Sequence, residues 1–245
     1  MSVLTSEAVV LRTWPVHETD LIVSLFTRDY GRLRGVAKAA LKSRRRFGGA
    51  LEPMTLARAW FAERPRQELM RLDQLEIIRS PLSTPVDAVR MAILSLYAEV
   101  LDEALPERDP QDSVFRLLAS VLEQTTTEQP WMPLTYFLLW MTRLMGLLPE
   151  IGRCTVCGEA LQADEVSFSL YADGLFCAVH RPDNAAELCA DSLQLAQRML
   201  RVPVSALAGE PWPRRRASDL RRFALQALER HLERRLRAAE TLARL

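Results

Sequence analysis

Short apolar runs rich in β-branched residues occupy the first 80 residues or so and are separated by turn-forming residues. This pattern predicts five short strands. The predicted strands are SEAVVLRT, DLIVSLFT, RLRGVAK, EPMTLARAWF and ELMRLDQLEII. A small unit of five short strands favours a compact β-barrel, and the OB-fold is the common nucleic-acid-binding barrel. We therefore expect an N-terminal OB-fold over residues 1–80.

The apolar positions change to helical spacing after the segment RSPLSTP, whose prolines at 81 and 85 mark a boundary. The next segment, VDAVRMAILSLYAEVLDEAL, predicts a helix that Asp87 is placed to begin. Four more helices are predicted, namely DSVFRLLASVLEQ, MPLTYFLLWMTRLMGLL, CADSLQLAQRML and one long helix, ASDLRRFALQALERHLERRLRAAETLARL. We therefore expect an α+β multidomain protein, in which an all-α helical domain at 81–150 and 186–245 follows the barrel.

Positive charge is concentrated in two blocks, although the net charge of the 245-residue chain is only +1. The block from Arg28 to Arg46 holds eight basic residues and one acidic residue. The block from Arg214 to Arg237 holds nine arginines and three acidic residues. Such separation of charge is typical of a protein that binds a polyanion.

The first basic block begins on the third predicted strand. Strand alternation places Arg32, Arg34 and Lys38 on one face of that strand, with small apolar residues on the other face. The strand continues into an arginine-rich loop and the glycine-containing segment RFGGALEP, which we interpret as a flexible connection between strands. Either this block is a solvated surface or it binds something acidic.

The second basic block lies on the last predicted helix. Its apolar residues share one face, and Arg222, Arg230 and Arg237 lie on the opposite arc. Two interpretations remain open: a core helix with a solvated basic back, or a helix whose back also contacts DNA.

Three cysteines and one histidine have the spacing of a metal site. Cys154 and Cys157 are separated by two residues, as are Cys177 and His180, and nineteen residues lie between the pairs. Two such knuckles let four ligands converge tetrahedrally, and thiolate and imidazole are ligands that zinc prefers. Four protein ligands leave no open position, so we expect structural Zn²⁺ in a ribbon-like insert at 151–185.

Other interpretations of these cysteines remain. Cys154 and Cys157 could form a redox pair, or the ribbon could have lost its metal. We expect Cys189 to be a buried apolar cysteine, with replacement of His180 as fourth ligand as the alternative. Gly158 would allow the tight turn that a knuckle needs.

The sequence offers little for catalysis. None of the histidines, His17, His180 and His231, has a serine or cysteine partner placed by sequence, and the acidic residues are scattered. No phosphate-binding P-loop motif is present. We therefore expect a binding protein and not an enzyme.

No signal peptide opens the chain, and its most apolar run is interrupted by Arg143 and too short to span a bilayer. We therefore expect a cytoplasmic protein.

Two long motifs resemble the RecO family of recombination mediators. The first is AVVLRTWPVHETDLIVSLFTRDYGRLRGVAKAALKSRRRFGGALEP, and the second is LLPEIGRCTVCG followed by DGLFCAVH. The resemblance extends from about residue 5 to the C-terminal helix. It implies an OB-fold, a helical domain and an inserted zinc element that usually ends in a second C-x-x-C, so that His180 stands where a cysteine is usual.

The same resemblance implies a function in the RecF pathway of DNA repair. It implies binding to single-stranded and double-stranded DNA, annealing of complementary strands, and loading of RecA onto strands coated by SSB. It also implies RecR and the acidic C-terminal tail of SSB as partners, a functional link to RecF, and association with the nucleoid.

From charge and resemblance together we predict the residues that contact DNA. The predicted phosphate contacts are Arg32, Arg34, Lys38, Lys42, Arg44, Arg45 and Arg46. Trp60 and Phe61 are candidates for base stacking, with a place in the barrel core as the alternative. A zinc-ribbon transcription or translation factor is the competing function.

Overall fold

The chain forms two compact units in this computed structural model. The first unit comprises Met1–Ala119 together with Leu236–Leu245, and the second comprises Ser120–Arg235. The described residues are 3–63, 67–125, 128–162 and 165–245. The predicted domain boundaries follow changes in the type of secondary structure, not compactness, and they stay a prediction.

All five predicted strands are present in the first unit. They are β1 (Val3–Pro15), β2 (Leu21–Thr27), β3 (Gly31–Ala37), β4 (Leu56–Ala62) and β5 (Met70–Arg79). They close into a barrel in the order β1-β2-β3-β5-β4. The β3–β5 pair is parallel, and the other pairs are antiparallel. The mixed α+β class is therefore confirmed, with a five-stranded N-terminal sheet.

A single long strand, β1, closes the barrel by pairing with two neighbours. Its first half, Val3–Val9, pairs with β4, and its second half, Ala8–Pro15, pairs with β2. The register with β2 shifts between Val10 and Arg12, as at a β-bulge. Because a bulge bends and twists the strand, one strand can turn from one side of the barrel to the other.

The barrel core is filled by alternate strand residues and by three buried residues from the connection between β3 and β4. Phe47 of that connection is 1% exposed and belongs to the core cluster, with Ala40 and Ala50 beside it. The Phe47 amide donates to the Ser43 carbonyl, and the Ala50 amide donates to the Phe47 carbonyl. The segment is therefore more than the simple link that its glycines predict.

Six α-helices lie within the described part of the chain. They are α1 (Ala88–Ala104), α2 (Asp112–Thr125), α3 (Trp131–Leu144), α4 (Ala190–Met199), α5 (Ser218–His231) and α6 (Arg237–Arg244). Asp87 caps α1 as predicted, because its carboxylate accepts a hydrogen bond from the Arg90 amide at 2.7 Å. No helix among the described residues is long and apolar enough to cross a membrane.

The prediction of one long C-terminal helix is wrong. The chain leaves α5 at His231, and Glu233 has a left-handed φ of 53° that ends the helical path. Leu236 is then fully buried, and α6 packs on α1 within the first unit. The buried carboxylate of Glu99 on α1 accepts hydrogen bonds from two backbone amides in the first turn of α6, at 3.0 and 2.8 Å. This cap begins a new helix and satisfies amides that would otherwise lack partners.

Candidate nucleic-acid interface and metal centre

The loop after β3, residues 38–46, holds the most exposed of the cations that are predicted to contact DNA. We call it the basic loop. Lys38, Lys42, Arg44 and Arg45 are all exposed. Their side chains make no hydrogen bond or ion pair with any residue that the structure describes. Their charges are therefore available to a ligand.

Backbone contacts hold the basic loop against the barrel. The Ser43 amide donates to the Ala39 carbonyl at 3.0 Å, and the Arg46 carbonyl accepts from the Leu75 amide of β5 at 2.9 Å. Arg46 is only half-exposed: its guanidinium donates to the Ser43 hydroxyl and the Lys38 carbonyl and lies over the Phe47 ring. Arg46 thus makes internal contacts that organise the loop.

Arg32 occupies a different environment from the rest of the predicted basic face. It is 9% exposed, and its Nε donates to the Leu105 carbonyl at 2.9 Å. Its Nη1 lies 3.6 Å from Asp102 and 3.3 Å from Glu107. The strand alternation is as predicted, but the segment at 102–107 covers this position. This placement argues against the predicted contact between Arg32 and DNA.

Arg34 stays accessible and lies beside an aromatic residue that the sequence analysis missed. Its side chain is 44% exposed, its Nε lies 3.6 Å from Glu107, and its Cζ lies 5.8 Å from the centre of the Trp14 ring. The Cζ of Arg12 lies 5.6 Å from the same ring. Cross-strand pairing aligns Arg12 with Ser24 and Ser24 with Arg34, and it aligns Trp14 with Ile22 and Ile22 with Val36. The sequence alone does not reveal these two cross-strand rows, because the bulge in β1 shifts the register between β1 and β2.

The two predicted stacking residues have opposite orientations. Phe61 is 1% exposed and packs edge-on against Tyr30 in the barrel core, so the core alternative applies to it. Trp60 is half-exposed on the outer face and pairs with Gln74 of β5. The amide of Leu75, the residue after Gln74, donates to the Arg46 carbonyl. Trp60 therefore lies near the basic loop and stays a stacking candidate.

Several arginines of the second basic block are bound within the second unit. Arg221 is buried, and its guanidinium donates to the Thr135 hydroxyl at 2.9 Å and to the carbonyls of Arg214 and Arg216. Burial lowers the pKa of Arg221 to about 10, so the side chain is still charged at neutral pH. Arg221 is therefore a structural residue of the helical layer.

Other arginines of this block are neutralised by acidic partners. Arg230 binds Asp173 and the carbonyls of Ser169 and Leu170, which attaches α5 to the segment between the cysteine pairs. Arg216 pairs with Glu210, and Arg235 pairs with Glu229. Arg222 is exposed and lies over the Phe168 ring. These contacts favour the interpretation of α5 as a packed helix with a solvated back.

The predicted metal ligands form one cluster. The ligand atoms of Cys154, Cys157, Cys177 and His180 all lie within 4.8 Å of one another. His180 Nδ1 lies 3.3 Å from Cys177 Sγ and 3.8 Å from Cys154 Sγ. Tetrahedral zinc with three sulfur ligands and one nitrogen ligand has edges of about 3.5–3.8 Å between neighbouring ligand atoms. The cluster could therefore hold a metal ion, and its chemistry is consistent with zinc.

The first knuckle is built to stabilise a thiolate. Burial alone would raise the pKa of Cys154, but the nearby backbone amides of Cys157, Cys177 and Val156 favour the thiolate and lower the pKa to about 6. The sulfur is then mostly thiolate at pH 7, as a metal ligand must be. Gly158 has a φ of +73°, and its amide donates to the Cys154 carbonyl at 2.8 Å, so it forms the predicted turn.

A close approach of two backbones brings the knuckles together. The Thr155 amide donates to the Leu175 carbonyl at 2.9 Å, and the Leu175 amide donates to the Thr155 hydroxyl. A Cβ atom on Gly174 would lie 1.9 Å from the Thr155 hydroxyl oxygen. Only glycine fits at position 174, and the contact places the second ligand pair beside the first.

Cys189 lies outside this cluster, and the prediction that it is buried is wrong. It is exposed at the start of α4, where its amide donates to the Asp219 carboxylate at 2.8 Å and its thiol lies 3.3 Å from the Ser192 hydroxyl. His180 and not Cys189 completes the cluster. Across the described ranges, no second group of three or more such side chains could hold a metal.

Comparison with known proteins covers nearly the whole chain. The family model described as "Recombination protein O N terminal" matches residues 1–81, and "Recombination protein O C terminal" matches residues 85–240. A DNA repair protein RecO from Koribacter versatilis (strain Ellin345) is 53% identical over 231 residues, which are 94% of each chain. DNA repair proteins RecO from Anaeromyxobacter sp. (strain K) and Thermoanaerobacter sp. (strain X514) are 33% and 29% identical, over 96% and 86% of this chain and 93% and 82% of theirs.

Proposed function

The chain belongs to the RecO family of DNA repair and recombination proteins, and from that premise we propose that it is a non-enzymatic recombination mediator. It binds single-stranded and double-stranded DNA without sequence preference and anneals complementary strands. Together with RecR, it helps to load RecA onto single strands coated by SSB. This work takes place at the nucleoid, in the RecF pathway.

The observation that carries the proposal is the basic loop. Four exposed cations stand together there without internal partners, whereas Arg216, Arg230 and Arg235 of the second block are paired with acids. Annealing needs no covalent step, but it must bring two mutually repelling polyanions together with their bases free to pair. Cations that neutralise phosphates lower that repulsion and release condensed counterions.

The barrel supports the assignment as an OB-fold. Its five strands close in the order β1-β2-β3-β5-β4, with a parallel pairing of β3 and β5. OB-folds bind oligonucleotides across the face formed by their second and third strands and the adjoining loops. The basic loop leaves the end of β3, so its cations lie at the border of that face.

The structure refines the set of proposed phosphate contacts. Arg34, Lys38, Lys42, Arg44 and Arg45 retain accessible cationic groups and are the proposed direct contacts. We assign Arg46 mainly to loop organisation, and Arg32 is left out because its guanidinium is held by the segment at 102–107.

We also propose that the cluster of Cys154, Cys157, Cys177 and His180 holds a structural Zn²⁺ ion. Zinc with four protein ligands has no open position and supplies cross-linking instead of catalysis. The chain's own contribution is to present three thiolate sulfurs and one imidazole nitrogen from two knuckles. The other proposed partners are RecR, with RecF linked in function, and the acidic C-terminal tail of SSB, for which the helical domain provides the site.

Replacing Arg44, Arg45 and Arg46 by alanine should weaken binding to single-stranded DNA about 10- to 100-fold at low salt. The plot of log affinity against log salt should become shallower by about 1.4, because Arg44 and Arg45 each contact a phosphate and each neutralised phosphate contributes about 0.7 on single strands. Fluorescence anisotropy with a labelled oligonucleotide across a salt series measures both quantities.

A triple variant that removes the same charge elsewhere is the matched control. Arg116, Arg153 and Arg181 are exposed and paired with acidic neighbours, so their replacement by alanine should leave the salt slope unchanged. Equal behaviour of the two triple variants would show that the basic loop is only a solvated surface.

A further inference from the structure

A mixed apolar and cationic strip runs across the outer face of β1, β2 and β3. Trp14, Ile22 and Val36 form one cross-strand row of half-buried side chains. The neighbouring row contains Arg12 and Arg34, whose side chains are 46% and 44% exposed. The strip therefore combines an aromatic ring with two accessible guanidinium groups on a rigid sheet.

The position of Trp14 is unusual for a residue that serves only packing. It is not among the buried residues, and it faces outward beside Ile22 and Val36. The internal ion pairs of the flanking arginines are long, at 4.0 Å from Arg12 to Asp102 and 3.6 Å from Arg34 to Glu107. Glu107 is exposed, so its long pair with Arg34 contributes little and can be exchanged for a stronger partner. Asp102 is buried and also accepts a hydrogen bond from the Ser24 hydroxyl, so Arg12 can leave it without stranding that carboxylate.

The strip also continues into the basic loop. Val36 is the next-to-last residue of β3, and Lys38 is the first residue of the basic loop, directly after the last strand residue, Ala37. Lys38 is exposed, and its side chain has no partner among the described residues. The phosphate backbone of a DNA strand can therefore run from Arg12 and Arg34 to Lys38 along the outer face of the barrel.

We propose that Trp14 is a stacking platform for an unpaired base of single-stranded DNA, with Arg12, Arg34 and Lys38 holding the adjoining phosphates. This inference rests on the proposed function, and it adds a site at which the protein contacts the bases of DNA as well as the phosphates. Stacking on an aromatic ring tolerates every base, because each base has a π-face. Base pairs within a duplex are already stacked, so the platform discriminates in favour of single strands.

The basic loop and Trp14 would then contribute to annealing in two different ways, by binding phosphates and by stacking a base. The basic loop binds phosphates of either form of DNA, whereas Trp14 holds a single strand with its bases turned out of their own stack. The guanidinium groups now near the Trp14 ring can move toward phosphates when a base occupies the ring face, since cation–π contacts at exposed sites are weak. The residues that bind the strand thus also expose its pairing edges.

The test compares two oligonucleotides of equal length and phosphate number, oligo(dT) and an abasic strand. Trp14→Ala should lower the affinity for oligo(dT) by roughly 5- to 100-fold, which is the range expected for losing one base–aromatic stack. Its affinity for the abasic strand and for duplex DNA should be unchanged within about twofold. Trp14→Phe keeps a ring and should recover most of the oligo(dT) affinity, and a normal melting temperature confirms that the variants fold.

Ile22→Ala is the matched control, because Ile22 is the neighbour of Trp14 in the same row and has no ring. It should lower oligo(dT) affinity by less than about twofold. Equal losses by Trp14→Ala on oligo(dT) and on the abasic strand, or an equal loss by Ile22→Ala, would overturn the platform. If the wild-type protein binds neither oligonucleotide, the proposed function itself fails, and this outcome is distinct from the others.

Discussion

Replacing Gly31 by alanine should destabilise the first compact unit by about 3 kcal/mol or more, and chemical unfolding followed by circular dichroism measures the loss. Gly31 has a φ of +67°, which an alanine adopts only at a cost of about 1–2 kcal/mol. A Cβ atom there would also lie 2.3–2.5 Å from the backbone carbonyl oxygen, carbonyl carbon and nitrogen of Asp109. Backbone cannot move aside as a flexible side chain can, so the strain adds to the conformational cost.

The contact at Gly31 matters because it positions the segment after α1. The Arg108 amide donates to the Arg32 carbonyl at 2.9 Å, and Glu107 forms a β-bridge with Arg32. Displacing this segment would also remove Glu107 and the Leu105 carbonyl from the Arg32 guanidinium. A buried cation without those partners is strongly unfavourable.

Gly209→Ala is the control for the change from glycine to alanine itself. No atom lies within 4 Å of a Cβ at position 209, and its backbone conformation suits any residue. We expect its unfolding free energy to stay within about 0.5 kcal/mol of the wild-type value. If the Gly31 variant were equally stable, Asp109 would not pack against Gly31 as described.

Replacing Cys154 by serine should abolish zinc binding and destabilise the second compact unit more than any single core substitution. Structural zinc sites contribute apparent binding free energies of about 10–16 kcal/mol in small peptides, and that energy is folding energy. Cys154 is the most buried of the four ligands, and the nearby backbone amides lower its pKa, so that its sulfur is ready to bind a metal. Zinc content by atomic absorption should fall from one per chain to near zero.

Two further variants separate the ligand role from a general effect of cysteine loss. Cys189→Ser removes an exposed cysteine outside the cluster, so its zinc content and melting temperature should match those of the wild type. His180→Cys should keep the zinc, because four thiolates are an ordinary zinc ligand set, whereas His180→Ala should lose it. A Cys154→Ser protein that retains one zinc per chain would exclude the assigned ligand set.

The sequence predicted those features that depend on short-range patterns. The five strands, the capping of α1 by Asp87 and the convergence of two ligand pairs all follow from spacings within a few residues of one another. The cluster of three cysteines and His180 was the strongest case, because the chemistry of the side chains and their spacing agree. The alternation on β3 was also correct, with Arg34 exposed and Leu33 buried.

The features that the sequence did not predict depend on partners far away in the chain. Arg32 can be buried because its guanidinium donates to the Leu105 carbonyl and pairs with Asp102, and both residues lie about seventy positions later in the chain. The C-terminal helix is broken because Glu99, more than 130 residues earlier, caps a new helix at Arg237. Trp14 was missed because its neighbours across the sheet depend on a bulge that no local pattern reveals.

Annealing of complementary single strands, measured as duplex formation with and without an SSB coat, is the decisive measurement of the proposed mediator function. The wild-type protein should accelerate annealing without cutting either strand, and it should still do so when SSB covers them. The triple Arg44, Arg45 and Arg46 variant should be slower, because phosphate repulsion is no longer relieved by the basic loop. Cleavage of the strands, or no acceleration by the wild-type protein, would contradict the account and favour a nuclease or a zinc-ribbon factor instead.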